Sequence, residues 1–185
     1  EAWLDVAYEY SHFDSDSTIA TLERVAKMAS DASDSYMSVK TAFRISRILT
    51  TLGYYKESSD IIDSINRKTI PRSLLFEYFE AKEFLCYELF HVDGSRLEFQ
   101  DMYEGMYHSY MDSVIVYAPE NSEYGLRSRE KKALILNDFD HAMQCNRKRM
   151  ELATNGSIAE SCVFYERYLI YKKWAGMRMT ACTVF

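Results

Sequence analysis

Glycine and proline are scarce in this chain, with six and two residues among 185. That scarcity excludes loop-rich and most β architectures, which use both residues at their turns. No run of about 18 apolar residues occurs, so no segment reads as a membrane-spanning helix. Cysteine is thin as well: Cys86, Cys145, Cys162 and Cys182 form no CxxC pair and no dense framework, which excludes a disulfide scaffold. Cys86 and Cys162 stand among apolar neighbours and are expected to be buried as small hydrophobes. An excess of positive charge is also missing. The formal charge of −6 argues against nucleic-acid binding, where contacts to phosphate dominate affinity. Two local basic clusters, Arg127/Arg129/Lys131/Lys132 and Arg147/Lys148/Arg149, read as solvated helix faces.

Signatures of chemistry are missing too. There is no HExxH, Walker loop, GxGxxG or GxSxG. None of His12, His91, His108 and His141 lies three or four residues from another, the short spacing that zinc ligands favour. Glu77, Glu80 and Glu83 recur at helical spacing, but the ExxH partners of a di-metal bundle do not occur. No catalytic residue, cofactor or metal is expected. No signal peptide is visible, and Glu1 in place of a methionine suggests a processed or trimmed product.

What the chain does have is helix-forming pattern and many rings: 15 Tyr, 10 Phe and two Trp. Tyrosine suits layers of helices, because its ring packs while its hydroxyl stays near water. Nine helical spans follow from the apolar spacing, at about 1–13, 17–31, 35–52, 55–66, 71–91, 96–118, 122–136, 139–153 and 157–175. Pro71 is placed to open the fifth.

Residues 45–66 carry the clearest signal. Leu52-Gly53-Tyr54-Tyr55-Lys56-Glu57-Ser58 reads as a helix end, a left-handed glycine and a second helix folding back. This is the turn logic of a tetratricopeptide hairpin, a unit that buries its apolar face only by stacking on neighbours. Asn137-Asp138-Phe139 repeats the turn, with Ala142 as the small residue matching Ser58. Gly176 reads as a third turn. These turns are unevenly spaced and wider apart than the idealised unit of about 34 residues. The expected fold is all-α: a tetratricopeptide-like right-handed solenoid of antiparallel helix hairpins, with about nine helices. The repeat domain is expected over 1–176, with 177–185 a short irregular tail. That tail is too short to supply a partner helix, so the last helix is expected to keep an open apolar face, a candidate for self-association.

Tyr8-Glu9-Tyr10, Phe13-Asp14-Ser15-Asp16-Ser17, the Leu52–Ser58 turn, Tyr110-Met111-Asp112-Ser113-Val114 and Pro119-Glu120-Asn121-Ser122-Glu123-Tyr124 come in an order with a precedent. Over most of residues 5–176 the chain resembles the N-terminal tetratricopeptide-like region of a Bacteroidetes family of membrane-bound regulators of unknown function. The resemblance implies an array lying outside the cytoplasm, in the periplasm, followed in a longer parent by a membrane helix and a cytoplasmic DNA-binding or coiled segment. Neither segment occurs here, and a cytoplasmic location is the alternative. The triplets starting at Asp16, Asp63 and Asp112, with Ser17, Ser64 and Ser113 at their centres, fit an O-glycosylation pattern of such proteins and equally serve as helix starts. Asn155-Gly156-Ser157 is formally a sequon, but it reads better as a helix-ending turn.

A non-catalytic protein-interaction module is the function this pattern implies, and the resemblance makes it the extracytoplasmic sensing or scaffold region of a regulatory protein. In a tetratricopeptide hairpin the first helix lines the concave groove. The register from Gly53 puts Lys40, Phe43 and Arg47 there, and that from Asn137 puts Tyr124, Arg127 and Lys131 there. Cations beside rings suit an acidic peptide or a C-terminal carboxylate. The partner is thus expected to be a protein or peptide, with no nucleic acid bound and no membrane insertion. The alternative is a small-ligand receptor with a pocket between the aromatic-rich helices 74–91 and 96–118.

Overall fold

A computed structural model describes residues 2–10, 14–92 and 96–183, with backbone alone at 5, 8, 9, 158 and 178–183. Among the described residues there are nine α-helices and no strand. They are α1 (Ala2–Tyr10), α2 (Ser15–Asp31), α3 (Ser35–Thr51), α4 (Tyr55–Ser64), α5 (Leu75–Phe90), α6 (Leu97–Tyr117), α7 (Glu123–Ile135), α8 (Phe139–Leu152) and α9 (Ile158–Thr183). Pro71 does not open α5 directly. It precedes a short 3-10 turn, Arg72–Leu74, which leads into the helix. The chain forms a helical-repeat solenoid of hairpins, divided within α6 into two compact units, residues 1–113 and 114–185.

Three of the connections share one device. At the end of α3, Gly53 takes φ +84°, its N–H donates to Thr50 O at 3.1 Å, and Tyr54 N–H reaches back to Leu49 O at 2.9 Å. This pair of bonds is the Schellman closure, which satisfies carbonyls left over at a helix end. Asn137 (φ 59°) closes α7 in the same way, with Asp138 N–H on Ala133 O at 2.8 Å. Ser33 (φ 55°) closes α2, with Asp34 N–H on Ala29 O at 2.8 Å. The sequence pattern marks the first two; serine at the third gives no such signal. Asp34 and Asp138, the residues after these left-handed positions, cap the next helix by accepting from Met37 N and His141 N. One short segment thus ends a helix and starts its antiparallel neighbour.

In the first unit α1 packs on α2, α2 on α3, and α3 on both α4 and α5. Leu4, Ala7, Leu22 and Val25 form one core cluster against Met37, Ile45 and Ile48. Phe43, Ile70 and Leu74 form a second, and Ile62, Ala81 and Leu85 a third. The α3–α4 crossing is close because its residues are small. Ser58 is fully buried, with its Oγ 2.8 Å from Ser46 Oγ and 2.7 Å from Thr50 Oγ1. Ser58 also donates to Ser46 O at 2.9 Å, so buried hydroxyls satisfy one another. In the second unit α8 packs on α7 and α9, and fully buried Ala142 takes the equivalent place, clustered with Ala133 and Ile170.

Several expectations need correcting. Gly176 is not a turn: α9 continues through it to Thr183, so residues 177–183 are helical and form no irregular tail. Nothing crowds Gly176, and without a left-handed residue the ladder of hydrogen bonds simply runs on. Cys162 is exposed, whereas Cys86 and Cys145 are buried. Only one of the three serine triplets starts a helix: Ser64 ends α4, and Ser113 lies inside α6. The expected first-helix residues 11–13, including His12, the 93–95 break and the end of the tail at 184–185 lie outside the described residues.

Candidate partner-binding surface

In the first unit the surface builds up from α3 and α5, which lie side by side with α4 connecting them in sequence. Lys40 and Arg47 are half-buried on α3. The Lys40 ammonium lies 5.9 Å from the Tyr36 ring, and the Arg47 guanidinium lies 5.1 Å from the Phe84 ring of α5. Arg47 also forms an ion pair with Glu80 of α5. Burial pushes the Glu77 carboxyl above its ordinary value, against the pull of Lys40 and Arg44. The cations of α3 therefore face carboxylates one helix pair further on. Phe43 sits differently: it is 3% exposed in the core with Ile70 and Leu74, its ring 5.8 Å from Tyr78. Its side chain is core rather than surface.

In the second unit Tyr124 on α7 is exposed and Lys131 is half-buried. Arg127 Nε lies 4.0 Å from Glu166 Oε1 of α9. Again the expected surface cation is matched by a carboxylate from the next-but-one helix. The structure places three nominated residues on each unit.

Sequence reasoning missed what lies beneath. Arg149 of α8, taken for a solvated charge, is 3% exposed. Its Nη1 lies 2.8 Å from Glu130 Oε2 and 2.6 Å from Glu166 Oε2, and its Nη2 donates to Glu123 Oε1 at 2.6 Å. Fully buried Asn146, one turn earlier, donates to Glu130 Oε1 at 3.3 Å and to Val163 O at 3.1 Å. It accepts from Arg167 Nε at 2.7 Å. Burial pushes the Glu130 carboxyl up despite Arg149, while Arg149, facing three carboxylates against its own desolvation, is held firmly protonated. Arg129 is structural as well, donating to Glu120 O at 2.7 Å and Ile115 O at 3.3 Å. A signal was present: Ala142, Cys145, Asn146 and Arg149 fall at i, i+3, i+4 and i+7, so the polar pair lies in the apolar face.

The rings nominated for a ligand pocket meet one another. Phe79 and Tyr110 lie 6.4 Å apart, and Tyr87 and Tyr107 5.5 Å, as packed aromatic pairs do. No metal-binding group of His, Cys, Asp or Glu occurs among the described residues. Nor is any described helix long and apolar enough to cross a membrane. His91 Nδ1 lies 2.8 Å from Tyr87 O, and His108 lies 3.7 Å from Glu104. Burial raises the Cys86 thiol to about 11, so it stays a protonated core residue.

The family described as the SusR N-terminal TPR domain, TPR standing for tetratricopeptide repeat, matches residues 3–180. The chain belongs to this family. Comparison with curated proteins and with solved structures gives no match. A SusR N-terminal TPR domain is a tetratricopeptide-like region of a Bacteroidetes regulator family, and domains of this repeat class are protein-interaction modules. The matched span ends at 180, inside α9, which agrees with a helix that runs on past Gly176.

Proposed function

We propose that this domain is the partner-recognition part of a longer regulator, displayed outside the cytoplasm, where it senses or scaffolds by holding a protein segment. Membership of the SusR N-terminal TPR family supports the regulator. The single observation carrying the recognition mode is the α3–α5 surface, where Lys40 and Arg47 stand beside the rings of Tyr36 and Phe84 and opposite Glu77 and Glu80. An acidic peptide segment fits this surface, its carboxylates competing with Glu77 and Glu80 for the α3 cations. Tyr124, Arg127 and Lys131 offer a similar mixture on the second unit.

The test is capture from the native envelope by the full parent chain, comparing wild type with the triple change Lys40→Ala/Arg47→Ala/Arg127→Ala. Helix content is checked by circular dichroism, because removing Arg47 leaves Glu80 without its ion pair. A specific protein held by wild type and lost by the folded triple variant is the expected result. Equal capture by both removes the proposed surface.

A further inference from the structure

The second unit leaves one helix face uncovered. On α9, Val163 and Ile170 are buried, with Ile170 packed on the Ala133/Ala142 cluster of α7 and α8. The opposite side, at i, i+4, i+7 from Phe164, carries Phe164, Tyr168 and Tyr171, with Tyr165 beside them. These four are 54%, 58%, 52% and 62% exposed. Single exposed rings are ordinary; a contiguous row of four on one face is not.

We propose that this face binds a second copy of the same chain, α9 against α9 in antiparallel fashion about a two-fold axis near Tyr168. Three features favour a copy over an unrelated partner. First, the face is self-complementary, because rings stack on rings without a fixed donor or acceptor pattern, as a two-fold interface requires. Second, the face carries no carboxylate among its four rings, and antiparallel pairing centred on Tyr168 sets Lys172 beside Phe164 and Tyr165 of the second copy. The Phe164 ring already carries Arg167 of its own helix at 5.7 Å, so the ring that Lys172 meets is that of Tyr165. Third, the area is sufficient. Half-exposed rings offer roughly 100 Å² each, and with Leu169 at the rim two copies together bury about 1,000 Å². That is near the lower bound for a specific contact, so the dimer dissociates on dilution.

The inference is independent of partner capture on α3–α5. Its test is size-exclusion chromatography with light scattering on the 185-residue chain across a concentration series. The expected mass rises from 21.7 kDa toward twice that value with concentration. Tyr168→Arg and Tyr165→Glu, each verified as folded by circular dichroism, stay at the single-copy mass. Tyr124→Arg, on α7, leaves the dimerisation unchanged. A single-copy mass at every concentration overturns the proposal, and so does a dimer that persists in folded Tyr168→Arg.

Discussion

Replacing Arg149 by Met tests whether the second unit is held by charge at its centre. Methionine keeps most of the volume and removes the cation, so the loss reports the carboxylates left behind. Glu130 bears the cost, being 2% exposed and bonded to Arg149 and Asn146. Glu123 and Glu166 retain side-chain access of 44% and 27%, so water relieves them in part. Removing one partner from a buried pair costs about 3–5 kcal/mol, mostly as the penalty of the stranded charge. Residues 114–185 hold a total stability of only about 4–11 kcal/mol, at ~0.05–0.15 kcal/mol per residue. The substitution thus removes much of the margin. In urea unfolding followed by circular dichroism, a loss of about 4 kcal/mol at a slope of about 1.5 kcal/mol per molar lowers the transition of this unit by about 2.7 M.

The pH dependence follows from the same carboxyl group. Burial raises Glu130 above its ordinary value of 4.5 in the folded state, and loss of Arg149 removes the opposing pull. A group raised on folding contributes stability below its unfolded value and loses it as pH rises through the folded value. Acidifying from pH 7 to pH 5 therefore restores part of the stability of Arg149→Met. Asp63 does not confuse this window. Its burial is outweighed by Lys82 and Ser59, which hold it below 3.8. Arg149→Met/Glu130→Gln recovers stability at pH 7 and is flatter with pH. A loss under about 1 kcal/mol, or a midpoint that falls on acidification to pH 5, refutes a stranded Glu130.

Gly53→Ala costs about 1–2 kcal/mol, because a Cβ at φ +84° is strained although nothing lies within 4 Å of it. Asn137→Gly, at φ 59°, is neutral or slightly stabilising by the same thermal or urea measurement. Brief alkylation at pH 8 with peptide mass spectrometry labels exposed Cys162 and spares Cys86 and Cys145, whose thiols burial pushes up.

The local grammar of the fold is written in the sequence, because turns and caps are short-range chemistry. Gly53 and Asn137 announce left-handed positions, and the small Ser58 and Ala142 announce close crossings, so hairpins are legible from composition at a few sites. Ser33 adopts the same geometry without the composition that signals it. Gly176 shows the reverse, since glycine permits a left-handed residue without requiring one. Pairings over distance are less legible. Arg149 meets Glu123, 26 residues away, and Glu130, 19 away. Read as a run, Arg147-Lys148-Arg149 is a solvated patch. Read on the helical wheel, Arg149 belongs with Ala142 and Cys145 while Arg147 and Lys148 face water.

Ion pairs between alternate helices bear on the proposed recognition as well as on cohesion. Arg47–Glu80 joins α3 to α5, and Arg127–Glu166 joins α7 to α9. Partly exposed pairs of this kind contribute about 0–1 kcal/mol each, far less than the buried Arg149 cluster. In the proposed complex a peptide carboxylate exchanges for Glu80 at Arg47, one ion pair replacing another, whereas Glu166 stays tied through its other oxygen to buried Arg149 at 2.6 Å. In that proposed complex, charge at this surface sets the orientation of the peptide and its rate of encounter more than its affinity. Affinity has to come from apolar area newly removed from water. In the proposed complex Phe43 supplies none, being already buried, and the exposed rings of Tyr36 on the first unit and Tyr124 on the second are the side chains placed to supply it.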